Sequence, residues 1–118
     1  MPELNIFSIS NTSNNFIILH CHNIDKKLKF LVDTGADVSI CKNFEYFNLN
    51  TNNIAKLTGI TKDTISCLGT SILNLKINAE VVDHSFNIVN EDFLIKTDGI
   101  IGRDLFQTLK FFNGNNLN

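Results

Sequence analysis

Leu31-Val32-Asp33-Thr34-Gly35-Ala36-Asp37 is the stretch that decides how this chain reads. Phe30, Leu31 and Val32 form an apolar run that leads straight into a carboxylate, and a glycine-containing turn follows at once. A charge at the end of a buried strand is costly to desolvate, so a carboxylate placed there has work to do. Thr34 offers a hydroxyl donor, Gly35 lets another backbone approach closely, and Ala36 leaves room beside the acid. A weaker echo lies about half a domain further on, in Gly99-Ile100-Ile101-Gly102-Arg103-Asp104-Leu105, where two apolar residues again lead into Gly-x-Asp. An approximate internal twofold would bring the two turns, Gly35-Ala36-Asp37 and Gly102-Arg103-Asp104, to one centre.

Working outward, the chain reads as many short strands. Residues 4–10 alternate loosely and suggest an N-terminal edge strand. Residues 16–22 and 28–32, separated by a polar turn over 23–27, read as a hairpin that delivers the Asp33 turn. A short strand is expected over 38–41, and a loop with at most one helical turn over 43–53. Residues 57–68 carry polar turn residues, Thr58 to Thr64, between β-branched stretches, and predict a projecting hairpin. Residues 72–82 alternate with some slippage, Asp83-His84 reads as a turn, and 85–89 as the returning strand. Ile100-Ile101 is a short buried strand. Residues 103–109 are the one helix, with Leu105, Phe106 and Leu109 at helical spacing and no breaker. Lys110-Phe111-Phe112 reads as a short C-terminal strand and residues 113–118 as a frayed end. The expectation is a single all-β domain over residues 1–118.

Composition narrows the function. The 118 residues suffice for one modest core, and 43% of them are apolar. The net charge is −2, without a basic block, so phosphate-driven binding of nucleic acid is not expected. No apolar run has the length of a membrane span. The N-terminus lacks the regions of a signal peptide, and Cys21, Cys41 and Cys67 are odd in number with no paired spacing. Both features favour reduced thiols and a cytoplasmic setting, virus-like particles included. Asn is abundant, at 18 residues, concentrated in expected loops and the tail. His20-Cys21-His22 invites a metal reading, but on a strand Cys21 points away from the two histidines, so no metal or other cofactor is expected.

One carboxylate does not hydrolyse an amide by itself, because a base must deprotonate water while an acid protonates the carbonyl oxygen. The chain has a single Asp-Thr-Gly. A symmetric dimer, with Asp33 of each subunit on the twofold axis, supplies the second group. Two carboxylates about 3 Å apart share one proton, giving a base and an acid at the same pH.

Leu31-Val32-Asp33-Thr34-Gly35-Ala36-Asp37 together with Gly99-Ile100-Ile101-Gly102-Arg103-Asp104-Leu105 resembles the retroviral-type aspartic proteases, and most of all those of gypsy-type long-terminal-repeat retrotransposons. The resemblance implies a closed β barrel with one short C-terminal helix, active as a homodimer on Gag-Pol type polyproteins. It also implies roles. Asp33 would be the catalytic carboxylate, and Thr34 would hydrogen-bond across the dimer axis beneath the acids. Gly35, Ala36 and Asp37 would line the cleft and bind peptide backbone, and Arg103 would pair with Asp37 and brace the dimer. Asp104 would stand where a helix N-terminus favours a capping acid. The hairpin around residues 58–64 would be the flap over the substrate, with Gly59, Ile60 and Thr61 as its contacts. It departs from the family's Gly-rich flaps in having one glycine near its tip, beside Lys62 and Asp63. Two rival readings are a domesticated protease-like module for dimerisation or peptide binding, and a dormant monomer that is active only within a polyprotein.

Overall fold

The pattern of residues 26–32 shows how the chain builds its barrel. In the computed structural model, which describes residues 3–5, 16–44, 47–52, 54, 56–58, 64–93 and 95–113, Leu28, Phe30 and Val32 point inward while Lys27 and Lys29 face solvent. This period of two is that of a strand with one buried face. Strand β2 (Phe16–Cys21) pairs antiparallel with β3 (Lys26–Val32), from Phe16 opposite Leu31 to Cys21 opposite Lys26. The expected hairpin is present, with its turn closed by a bond from Asp25 N–H to His22 O. The His20 and His22 rings meet in a T-shaped contact and His20 meets Asp25, whereas Cys21 is fully buried on the other face.

Strands β4 (Ile40–Lys42), β7 (Cys67–Ile77), β8 (Glu80–Val89) and β9 (Gly99–Ile101) complete a closed six-stranded barrel in the order β2-β3-β9-β4-β8-β7. The short β9 is inserted between a parallel neighbour, β3, and an antiparallel one, β4. All three of its residues are buried. A smaller sheet holds β1 (Glu3–Asn5), β5 (Lys56–Thr58) and β6 (Thr64–Ile65) in the order β1-β5-β6. β5 and β6 form the stem of the expected projecting hairpin, with Leu57 opposite Ile65 and Thr58 opposite Thr64. The N-terminal strand expected over 4–10 is Glu3–Asn5 and pairs parallel with β5, while residues 6–10 lie outside the described residues.

Three expectations are corrected. The turn assigned to Asp83-His84 lies instead at Asn78-Ala79, and Asp83 and His84 stand inside β8 opposite Asn74 and Leu73. Asn78 adopts φ 57°, a left-handed conformation that asparagine tolerates better than most residues, so the chain reverses there. The slippage over 72–82 is the mark of this reversal. The inward residues are Leu73, Leu75 and Ile77, while Ile72 and Val81 face outward. Second, the segment 110–112, expected as a strand, continues helix α1 (Arg103–Asn113). Leu105 and Leu109, one turn apart, are both fully buried and hold the helix on the barrel, and nothing between them and Asn113 breaks it. Third, Asn113, expected in the frayed end, closes this helix, and residues 114–118 lie outside the described residues.

The loop after β4 is tied to β7 by paired backbone bonds between Asn50 and Thr70. Gly69 makes this approach possible at a β-bulge, with φ 149°. A Cβ there would come within 2.7 Å of the Asn50 carbonyl oxygen.

The core has two parts. Leu19, Leu28, Phe30, Leu73, Leu75, Phe86, Ile88, Ile101, Leu105 and Leu109 fill the barrel and seat the helix. Ala36, Ile40, Leu57, Val89 and Ile100 form a second cluster that joins the Asp33 turn to the β5–β6 stem. All three cysteines are free, as the sequence suggested, and burial pushes the Cys41 thiol up, out of its reactive range. Leu73→Ala is expected to leave a cavity in the main cluster and cost about 2–5 kcal/mol, measured as a lower urea midpoint at fixed protein concentration.

Candidate active site

The parallel pairing of β3 and β9 sets Val32 beside Ile101, so both strands leave the sheet at the same end. The residues that follow, Asp33 and Gly102, therefore open their turns side by side. The Asp33 N–H extends the ladder by one bond, to Ile101 O at 2.9 Å. Asp33 is 2% exposed. Its carboxylate Oδ1 accepts the Gly35 N–H at 3.1 Å, and its carbonyl accepts the Ala36 N–H at 3.0 Å. The turn thus closes on itself and orients the acid. Thr34, next to it, is exposed, Gly35 is half-buried, and Ala36 is fully buried beneath the turn.

The second turn grips the first. The Arg103 N–H donates to Ala36 O at 2.8 Å, and the Arg103 guanidinium donates to Asp37 Oδ1. The Asp37–Arg103 pair expected from the sequence is therefore present within one chain. With the arginine side chain 57% exposed, solvent screens its Coulombic part, and its value lies in fixing orientation. Gly102 makes the approach possible. A Cβ there would lie 2.6 Å from Val38 O and 2.8 Å from Ala36 O, too close for any side chain.

Asp104 has a wider role than a helix cap. The Gly102 carbonyl accepts the first helical bonds, from Leu105 and Phe106, so Gly102 stands at the cap position and Asp104 in the first turn. The Asp104 carboxylate reaches across to Ser39. Oδ1 accepts Ser39 Oγ–H at 2.7 Å and Leu105 N–H at 2.8 Å, and Oδ2 accepts Ser39 N–H at 3.1 Å. His84 Nε2 meets Oδ2 at 2.9 Å. Burial opposes ionisation of Asp104, but the bonds from His84 and Ser39 outweigh it and hold the carboxyl below its usual value. Ser39 Oγ in turn accepts the Gly102 N–H at 3.0 Å. Ser39 and His84 were not anticipated. The signal for Ser39 was a hydroxyl between Val38 and Ile40 in a segment otherwise fit for burial. His84 was hidden by its placement in a turn.

The contacts expected of Gly59, Ile60 and Thr61 fall outside the described residues. Their hairpin is held at its base by Leu57, which is fully buried in the second cluster.

Residues 8–112 match the family model for the retroviral aspartyl protease. The chain belongs to this family of aspartic endopeptidases. Over 104 residues it is 32% identical to the retrovirus-related Pol polyprotein from transposon 412 of Drosophila melanogaster, a match that takes in 86% of this chain. The match spans 8% of that polyprotein's length. The fold is similar to that of EIAV protease complexed with the inhibitor HBY-793, with a TM-score of 0.64 and 17% identity over 86% of this chain and 93% of the other. It is also similar to the retroviral protease-like domain of Ddi1 from Leishmania major, with a TM-score of 0.58 and 15% identity over 83% of this chain and 78% of that one. The closed barrel with one helix, expected from two short motifs, is thus the fold of the family.

Ser39→Ala removes a donor to Asp104 and leaves the buried Gly102 N–H without its acceptor, at an expected cost of about 1–3 kcal/mol at neutral pH. Because the folded Asp104 carboxyl lies below its unfolded value, its stabilising contribution is complete above the unfolded value and is lost as pH falls through the folded one. The gap between the urea midpoints of the two proteins should therefore narrow on acidification, down to the pH-independent cost of the unpaired Gly102 N–H; a gap that widens would contradict the bonding described.

Proposed function

We propose that this chain works as a homodimeric aspartic endopeptidase that cleaves a Gag-Pol type polyprotein. Asp33 carries this reading. It is a nearly buried carboxylate at a strand end, oriented by its own turn, and it belongs to the single Asp-Thr-Gly of the chain. A second carboxylate in symmetric register is what peptide hydrolysis then requires.

In the dimer the two Asp33 side chains share one proton. The ionised member takes a proton from water as the water oxygen attacks the scissile carbonyl carbon. The protonated member gives its proton to the carbonyl oxygen. The resulting tetrahedral diol collapses when a proton passes to the amide nitrogen and the C–N bond breaks, leaving a carboxyl and an amine. No covalent enzyme intermediate is involved. The exposed Thr34 hydroxyl lies beside the acid, where a bond across the dimer axis would fix the pair. Gly35 and Asp37 form the cleft floor, with Ala36 buried beneath them rather than facing the substrate and Asp37 held by Arg103, and the substrate lies as an extended strand whose backbone bonds give affinity. The hairpin whose stem is β5–β6 serves as the flap over the substrate. The likeness to a transposon Pol polyprotein supports a polyprotein substrate.

Asp33→Asn is expected to retain the wild-type circular dichroism spectrum while cleavage of a polyprotein-junction peptide falls by at least about 10²-fold. Cleavage at the wild-type rate would reject Asp33 as the catalytic acid. Arg103→Lys, which loses the planar fork, should raise the dimer dissociation constant in sedimentation experiments. Full activity of a species that sediments as a monomer would refute the shared dyad.

A further inference from the structure

The reading of Asp33 as half of a proton-sharing pair raises a problem for a second carboxylate in the same site. A dyad that holds one proton works where carboxyl groups are partly protonated. Asp104 is also a carboxyl group, and its bracket needs it ionised, because Oδ1 and Oδ2 both accept from Ser39. If Asp104 took up a proton, one of these oxygens would become a donor facing a donor. The Ser39 Oγ that carries the Gly102 N–H would then lose its fixed orientation.

We infer that His84 is a positioning residue for peptide hydrolysis: by donating to Asp104 it keeps the Asp104–Ser39–Gly102 bracket closed beneath the Asp33 turn when the medium turns acid. This inference rests on the function proposed above. The geometry is specific. His84 lies on β8, Asp104 on α1, and Ser39 in the segment that leads from the Asp33 turn into β4, so the three tie together elements far apart in sequence. A carboxylate only accepts, so Nε2 carries the hydrogen in this 2.9 Å bond. The Phe86 ring meets the imidazole edge-on, with centroids 5.5 Å apart at 89°, and holds it in place against its partner. The side chains of His84 and Asp104 are 21% and 26% exposed, so water competes only in part.

Among the described residues, Asp104 is the charged group that His84 meets. Across the hairpin, β7 presents the apolar Leu73. The neighbouring Asp83 directs its carboxylate to Asn74. On α1, Arg103 is engaged with Asp37, and the loop that leads into β4 meets Asp104 through the neutral Ser39. When the imidazole gains its proton, the contact becomes a charge-assisted pair and tightens. The bond from His84 favours the charged form of Asp104 and, with those from Ser39, holds its carboxyl below its usual value against burial. Asp33 and Asp104 are two acids in one site with opposite requirements, and His84 serves the one that must stay charged.

The test compares kcat/KM against pH for the 118-residue chain and its His84→Leu, His84→Gln, Asp104→Asn and His84→Leu/Asp104→Asn variants, with a fluorogenic polyprotein-junction peptide as probe. His84→Leu should move the acid limb up by about one pH unit. His84→Gln, which keeps a neutral donor, should fall between this variant and wild type. In the Asp104→Asn background, where the side chain at this position cannot titrate, replacing His84 should no longer move the limb. The inference is overturned if the His84→Leu limb coincides with wild type, or if its shift persists in the Asp104→Asn background. Should His84→Leu not fold, the order of wild type and His84→Gln decides by the same criterion. The acid-unfolding midpoint, followed by circular dichroism, gives a readout independent of cleavage. It should rise in His84→Leu relative to wild type, and should not differ between Asp104→Asn and the double variant. A wild-type protein without cleavage would defeat the proposed function, while this second readout would still decide the bracket.

Discussion

Everything at the centre of this molecule depends on the parallel pairing of β3 with β9. Antiparallel neighbours run in opposite directions, so the ends they leave lie at opposite edges of a sheet. Parallel neighbours leave together. With Val32 beside Ile101, and the Asp33 N–H on the Ile101 carbonyl, two turns far apart in sequence are forced into one place. The backbone approach that follows is so close that Gly102 admits no Cβ. The site is thus a consequence of topology before it is a consequence of side chains.

The side chains then divide the work. Asp33 is oriented by its own turn, through the Gly35 N–H. Arg103 holds the outer part of the loop through Asp37 and, by its backbone N–H, through Ala36. Asp104 holds the inner part through Ser39, with His84 behind it. Each carboxylate in the group has a different set of donors. This is how one residue type can stand as a turn-oriented acid, an ion-pair partner and a bracket within a single site.

Much of this was legible in the sequence because short-range rules governed it. The apolar run into Asp33, the Ile-Ile-Gly-Arg-Asp echo and the Leu105/Leu109 spacing identified the paired turns and the helix, and the barrel followed from the resemblance those motifs carry. The Asp37–Arg103 pair was anticipated through the resemblance that the two glycine turns carry. The misses share another cause. The reversal at Asn78 depends on one residue adopting a left-handed backbone, which leaves no compositional trace beyond a slip in alternation. The last turn of α1 was read as a strand because Phe111 and Phe112 suit either state, and the anchoring of Leu109 in the core decides. Ser39 and His84 could not be assigned because their partner, Asp104, becomes their neighbour only after β8, β4 and α1 have packed.

Leu105 and Leu109 fasten α1 into the interior of the barrel, and the first residues of that same helix hold the loop of Asp33. The loop is irregular in conformation but inherits the low compliance of a close-packed interior. Its mechanical stiffness comes from residues that never approach the chemistry. Loosening the apolar seat of the helix would soften the Asp33 loop without altering one atom of it.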